Sequence, residues 1–309
     1  MNRHLAFCHR SLAAVLVASS LAGSARAAVP PADHVVVVVM ENKSFARVRL
    51  QPYTASLMRA GAWFDGASAI AHPSQPNYFA LWSGSTQGVT NDNCPAPGSP
   101  FATANLGQAL EAAGKTWRAY SENLAFAGAT DCSFDGTATT GLYVRKHEPW
   151  TYFSNLDHSN ERPYTDLAAD LAAGTLPNLS FIIPNNCNNT HNSATNPACG
   201  IAQGDAWLAA NLPPILAAFG PNDFLVLTWD EDDNSAGNNV LTLFVGPLVL
   251  PGTISTQFVT HITVVRTIAD ALGIPAPGNA ASTFPINGVW NGLTPVVPSS
   301  WGRLKMLYR

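Results

Sequence analysis

The sequence predicts an α/β fold with a mainly parallel central sheet flanked by helices, and three observations carry that prediction. The stretch "DHVVVVVMEN" holds five consecutive valines at 35–39. An unbroken β-branched run of this kind suits a strand buried on both faces, as in a parallel sheet. Helical patterns then alternate with short apolar runs along the chain, the plan of strand–helix–strand units. Finally, the polar clusters "MEN", "IPNNCNNTHN" and "TWDEDDN" follow such runs, and ligand sites of open α/β sheets lie beyond the carboxyl ends of the strands.

Taken in order, the chain opens with a leader. Arg3, His4, His9 and Arg10 precede the apolar "LAAVLVASSLAG", and Ala25-Arg26-Ala27 supplies a small-x-small site. This is the pattern of a secretory signal peptide over residues 1–27, cleaved near Ala27, and it predicts a secreted protein, periplasmic or extracellular. Residues 28–309 read as a single domain without repeats or linkers. After the valine strand, "HPSQPN" places Ser74 between Pro73 and Pro76, and "NYFALWSG" begins a helix. At such a bend Ser74 is either the helix N-cap or a nucleophile facing an anion. In "NLGQALEAAGKTWRAY", Leu106, Leu110 and Ala113 share a helical face, Gly114 stops the helix, and "TWRAY" is a strand. "YTDLAADLAAG" and "LSFIIP" repeat that plan. "GDAWLAANLPPILAAFG" gives helical segments interrupted by Pro213 and Pro214, followed by the strand "FLVLTW". "VLTLFVG" adds a strand and "THITVVRTIADALGI" a last helix.

Composition narrows the function. Only 12% of residues are charged and the net charge is −4, with no basic patch, which argues against a nucleic-acid partner. No stretch beyond the leader is long and apolar enough to predict stable membrane insertion. Removing Cys8 with the leader leaves four cysteines in an oxidising compartment. Two disulfides follow: Cys187 with Cys199, which are close in sequence, and Cys94 with Cys132.

The rim clusters carry the chemistry. Glu41, Asn42, His191, Asp230 and Glu231 converge if the three strands end on one edge. Asp230 to Asp233 form a run of acids, and neighbouring carboxylates repel unless a cation neutralises some of them. An EF-hand start fails because Ser235 stands where the turn glycine belongs and Leu241 where the bidentate glutamate belongs. Oxygen ligands from Glu41, Asn42, Asp230 and Glu231 suit one divalent cation, with magnesium, calcium, manganese, iron and zinc all compatible. His147, beside Arg145 and Lys146, together with His191 and His261, adds the positive charge and proton donors that phosphoryl transfer requires.

These stretches, in this order, resemble the secreted acid phosphatases and phospholipase-C-like phosphoesterases related to the alkaline phosphatase superfamily. The carriers are "HVVVVVMENKSF", "HPSQPNYFALWSG", "YVRKHEPWTYFSN", "LPNLSFIIPN", "GDAWL", "LVLTWDEDD" and "THITVVRTIADALGI". The resemblance implies an alkaline-phosphatase-like sheet and a metal-assisted acid phosphatase that hydrolyses monoesters through a phosphoserine. Ser74 becomes the nucleophile and also a metal ligand, its hydroxyl pKa depressed by the cation. Asn77 steadies phosphoryl oxygens, His147, His191 and His261 bind phosphate or protonate the leaving oxygen, Lys146 contacts substrate, and Asp205 orients a histidine. Protonated histidines suit an acidic optimum. Relatives commonly read "NDMHD" where this chain has "NNTHN", so Asn189 and Asn192 replace two aspartates, which implies one metal and not two. The implied substrate is a small phosphate ester or a phospholipid headgroup. A phosphodiesterase of phospholipase C type, or a weakened binding module of the same fold, are the alternatives. Oligomeric state is not encoded in any of these features.

Overall fold

The computed structural model describes residues 29–137, 140–191 and 199–291. The leader, Asn192 and the residues after 291 lie outside the described residues. All described residues belong to one compact unit, Ala27–Thr294.

The strands are β1 (His34–Met40), β2 (Ala62–Phe64), β3 (Ala67–Ser68), β4 (Trp117–Ser121), β5 (Glu161–Pro163), β6 (Leu179–Ile183), β7 (Asp223–Trp229), β8 (Thr242–Val245), β9 (Thr253–Ser255) and β10 (Val259–Thr260). Eight of them form one sheet in the order β5-β4-β6-β1-β7-β8-β2-β9, while β3 and β10 pair separately. Every pair in the large sheet is parallel except β7 with β8 and β8 with β2. The expected mainly parallel α/β architecture is therefore the observed one.

The valine strand β1 lies at the middle of this sheet, between β6 and β7. Its side chains alternate between two cores. Val35, Val37 and Val39 join Phe79, Trp82 and Val265 on one face, and Val36, Val38 and Met40 join Leu208, Leu212 and Trp229 on the other. Both faces being apolar, the sequence shows no period of two.

Among the described residues, seven α-helices accompany the sheet: α1 (Phe45–Val48), α2 (Pro52–Ala60), α3 (Ser74–Ser83), α4 (Leu106–Ala112), α5 (Asp166–Ala173), α6 (Ile201–Ala217) and α7 (His261–Leu272). Two differ from expectation. Helix α3 begins at Ser74 and not at Asn77, because Pro76 falls in the first turn, where a missing N–H costs no intrahelical bond. Helix α6 runs unbroken through Pro213 and Pro214. The carbonyls that the two prolines leave without donors belong to Ala209 and Ala210, which are exposed, so water can serve them. Both expected disulfides are present, Cys94–Cys132 and Cys187–Cys199.

Candidate active site

The site forms where β1 and β7 end side by side. Met40 is in register with Trp229, so Glu41 and Asp230 emerge at the same level. The Asp230 amide donates to the Met40 carbonyl at 2.9 Å. Asn42 has a left-handed backbone (φ 43°), and its amide donates to Asp230 Oδ1 at 3.0 Å. Its side-chain nitrogen is satisfied toward Glu41 Oε2 at 2.6 Å and Asp230 Oδ1 at 3.2 Å.

Helix α3 brings Ser74 onto these acids. The N-cap is Pro73, and Ser74 makes no capping hydrogen bond. Its hydroxyl donates instead to Glu231 Oε1 at 2.9 Å and lies 3.3 Å from Glu41 Oε2. Ser74 is thus not the helix N-cap, and its hydroxyl faces the acids. One turn on, Tyr78 donates to Glu41 Oε1 at 2.6 Å.

Glu41, Asp230, Glu231 and Ser74 are all buried. Burial, together with mutual repulsion, pushes the acids toward their neutral forms. The Glu231 carboxyl is raised to about 7 by burial and then by Glu41. Asp230 is raised well above the carboxylate range by burial, Glu41 and Glu231. Glu41 is raised by burial, and the charges of Lys146 and His191 oppose that shift. A divalent cation would relieve this repulsion: three carboxylates and the Ser74 hydroxyl, with the Asn42 amide turned to present its oxygen, would suit a hard, oxygen-preferring ion. Among the described residues no three His, Cys, Asp or Glu side chains make a metal cage by themselves.

The other expected residues divide. Lys146 is buried and pairs with Asp92 Oδ2 at 2.7 Å. Burial favours its neutral form, but the charges of Glu41 and Asp92 outweigh that and raise its pKa. His147 stacks on Tyr78. Its Nε2 is 3.0 Å from Glu41 Oε1, without the alignment of a hydrogen bond. Burial, then Lys146 and His191, push its pKa well below the usual imidazole value. His191 follows Asn189, whose side-chain oxygen accepts the His191 amide at 2.9 Å.

Three residues are placed away from their expected roles. The Asn77 oxygen accepts from the Ile70 and Ala71 amides, and its nitrogen donates to the Ala71 and Pro73 carbonyls. It fastens the loop that presents Ser74, and the geometry leaves no free amide group for a phosphoryl oxygen. His261 Nε2 donates to the Asp230 carbonyl at 2.7 Å, and burial lowers its pKa to about 4. It braces Asp230 from below as a neutral ring. Asp205 accepts from the Tyr53 amide, the Thr54 amide and the Thr54 hydroxyl, and pairs with no histidine among the described residues. Helix α2 has no side-chain cap of its own, so a carboxylate from α6 serves its free amides. The expected link between protonated histidines and an acidic optimum therefore loses His147 and His261.

Three site residues were missed in the sequence. His72 Nδ1 contacts Glu231 Oε2, and its Nε2 is 3.2 Å from Asp232 Oδ1. Its place two residues before Ser74 was the available signal. Tyr78 lies one helical turn after Ser74, a spacing that predicts a shared face. Asp92 accepts from both Lys146 and the Gln75 amide, and nothing in its own stretch marks it.

The chain matches the model of the Phosphoesterase family over residues 47–275. It is 39% identical to a phosphatidylinositol-3-phosphatase of Mycobacterium tuberculosis, over 94% of this chain and 97% of that protein. It is 30% identical to a phosphate-repressible acid phosphatase of Penicillium chrysogenum, over 80% of this chain but only 60% of the fungal protein. Among solved structures, a protein in the alkaline phosphatase superfamily from Vibrio parahaemolyticus aligns with TM-score 0.58 at 12% identity, covering 81% of this chain and 69% of that one. Murine ectonucleotide pyrophosphatase/phosphodiesterase 5 aligns with TM-score 0.55 at 10% identity, covering 84% and 100%. These two likenesses establish the shared fold. With the family match spanning most of the sequence, the chain belongs to the Phosphoesterase family, hydrolases that act on phosphate esters.

Proposed function

We propose that this protein is a secreted acid phosphatase that hydrolyses phosphate monoesters through a phosphoserine at Ser74. The observation that carries the reading is the Ser74 hydroxyl, which turns away from its helix end to face Glu231 and Glu41. Glu41, Asn42, Ser74, Asp230 and Glu231 would hold one divalent cation, which when bound supplies charge neutralisation and favours the serine alkoxide.

The chain's own groups perform the remaining work. Ser74 Oγ attacks phosphorus at the positive end of α3, its proton leaving toward the carboxylate it already faces. The bond between phosphorus and the ester oxygen breaks, and His191 delivers a proton to that oxygen. Water then cleaves the phosphoserine. Lys146, held charged by Asp92 and Glu41, offsets the negative charge of the transferring group. His147 acts as a neutral hydrogen-bonding ring.

The monoester reading draws on the two relatives named as phosphatases, and the first of them makes an inositol-lipid monoester a substrate worth testing. The test compares para-nitrophenyl phosphate with bis-para-nitrophenyl phosphate from pH 4 to 9, with and without chelator. Fast monoester turnover that the chelator removes is expected. Diester preference would assign the site to a phosphodiesterase, and no turnover of either ester would leave a binding module.

A further inference from the structure

Thr190 occupies a conformation that a threonine rarely adopts. Its φ is 79°, in the left-handed region that penalises β-branched residues. It is fully buried, and its hydroxyl is used twice. It donates to the Glu41 carbonyl at 2.7 Å and accepts from the Trp229 indole nitrogen at 3.0 Å. Its neighbour Asn189 receives the Glu41 amide on its carbonyl at 2.7 Å. Both backbone polar groups of Glu41 are thus held by the two residues immediately before His191.

Helix α6 locks this turn from behind. A Cβ at Gly204 would stand 2.2 Å from Thr190 Cγ2 and 3.0 Å from the Thr190 amide nitrogen, so the close approach requires glycine. Strain of this kind persists only where surrounding contacts over-determine it. Here they connect the end of β1, the end of β7 and the loop that delivers His191.

We propose that Thr190 is a positioning residue that sets Glu41 and His191 against each other through its hydroxyl. This rests on the phosphoesterase reading above only for the assay. A misplacement of about 1 Å at such a site can cost on the order of 100-fold in rate, and partners that orient metal ligands are worth roughly 10- to 100-fold in affinity or activity.

The test uses Thr190→Val, which keeps the shape and removes the hydroxyl, and Thr190→Ser, which keeps the hydroxyl. Two readouts are taken on the full chain: kcat and KM with para-nitrophenyl phosphate, and Mn2+ affinity of chelator-treated protein. Thr190→Val is expected to lose about 10- to 100-fold in kcat with little change in KM, and about 10-fold in Mn2+ affinity. Thr190→Ser should recover kcat to within about threefold of the parent. If Thr190→Val does not fold, Trp229→Phe removes one of the two hydrogen bonds, and a smaller change in the same direction is expected. A folded Thr190→Val that matches the parent in both readouts overturns the proposal, as do equal losses in the valine and serine variants. A parent protein that turns over no ester defeats the phosphatase reading, while the Mn2+ titration still decides the role of Thr190.

Discussion

Tyr78 and His147 stack face to face, ring centroids 4.8 Å apart and planes 19° from parallel, and both reach Glu41 Oε1. One aromatic comes from α3 and the other from the "YVRKHEPW" loop. The pair therefore holds the Oε1 oxygen of Glu41, while Ser74 faces Oε2. Tyr78→Phe keeps the stack and removes the hydrogen bond. It should lower kcat about tenfold, the effect of losing one hydrogen bond to a buried charged group. An unchanged kcat would mean that the Glu41 carboxylate is held without Tyr78.

Ser74→Ala should reduce monoester turnover by at least about 10³-fold with the melting temperature nearly unchanged, because the hydroxyl caps nothing. A large drop in melting temperature with residual turnover would return Ser74 to a structural role.

Replacing Asp230 and Glu231 together by asparagine should abolish stoichiometric divalent metal, measured by elemental analysis of the purified protein. It should also stabilise the chelator-treated protein, since two raised carboxyls no longer have to be kept neutral. Retained metal would sink the ligand assignment.

Asp205→Ala should cost roughly 2 kcal/mol of stability, the magnitude of a lost helix cap, while kcat stays within about twofold of the parent. The measurement is urea denaturation beside the ester assay. Lost turnover at full stability would restore the histidine-orienting role that the sequence suggested.

Glu148 gives a pH prediction away from the metal ligands. Burial raises its carboxyl to about 8, Glu161 adds to the shift, and the Ser121 hydroxyl, which donates to Oε2 at 2.6 Å, opposes it. The folded pKa lies above the ordinary value of 4.5. The neutral carboxyl's contribution is therefore complete below about pH 4.5 and lost as pH rises through about 8, on the order of 5 kcal/mol across that window. The melting temperature should fall by roughly 10 °C between pH 5 and 8, and Glu148→Gln should flatten the fall. Equal slopes for parent and variant would remove Glu148 as the cause.

The sheet was legible because its signal is local and redundant. The valine strand announces a two-sided core, and β4 and β6 each follow a helix that stops at a left-handed glycine, Gly114 and Gly174. Glu41, Ser74, Asp230 and Glu231 were legible because each stands at a strand or helix end, where topology alone brings side chains together. Partner choice was not legible. Asp205 and His261 are acid and imidazole in suggestive places, yet one serves free amides of α2 and the other a backbone carbonyl. Their targets are 151 residues and 31 residues away in sequence. Asp92 was invisible for the same reason, since its partner Lys146 is 54 residues distant.

The register of β1 against β7 has a consequence for how this family can vary. Met40 faces Trp229, so Glu41 and Asp230 share one level only while both strands keep their lengths. One inserted residue would move an acid by about 3.3 Å and reverse its face. Insertions and deletions are therefore excluded from the two central strands, where chain length itself acts as the ruler of the site.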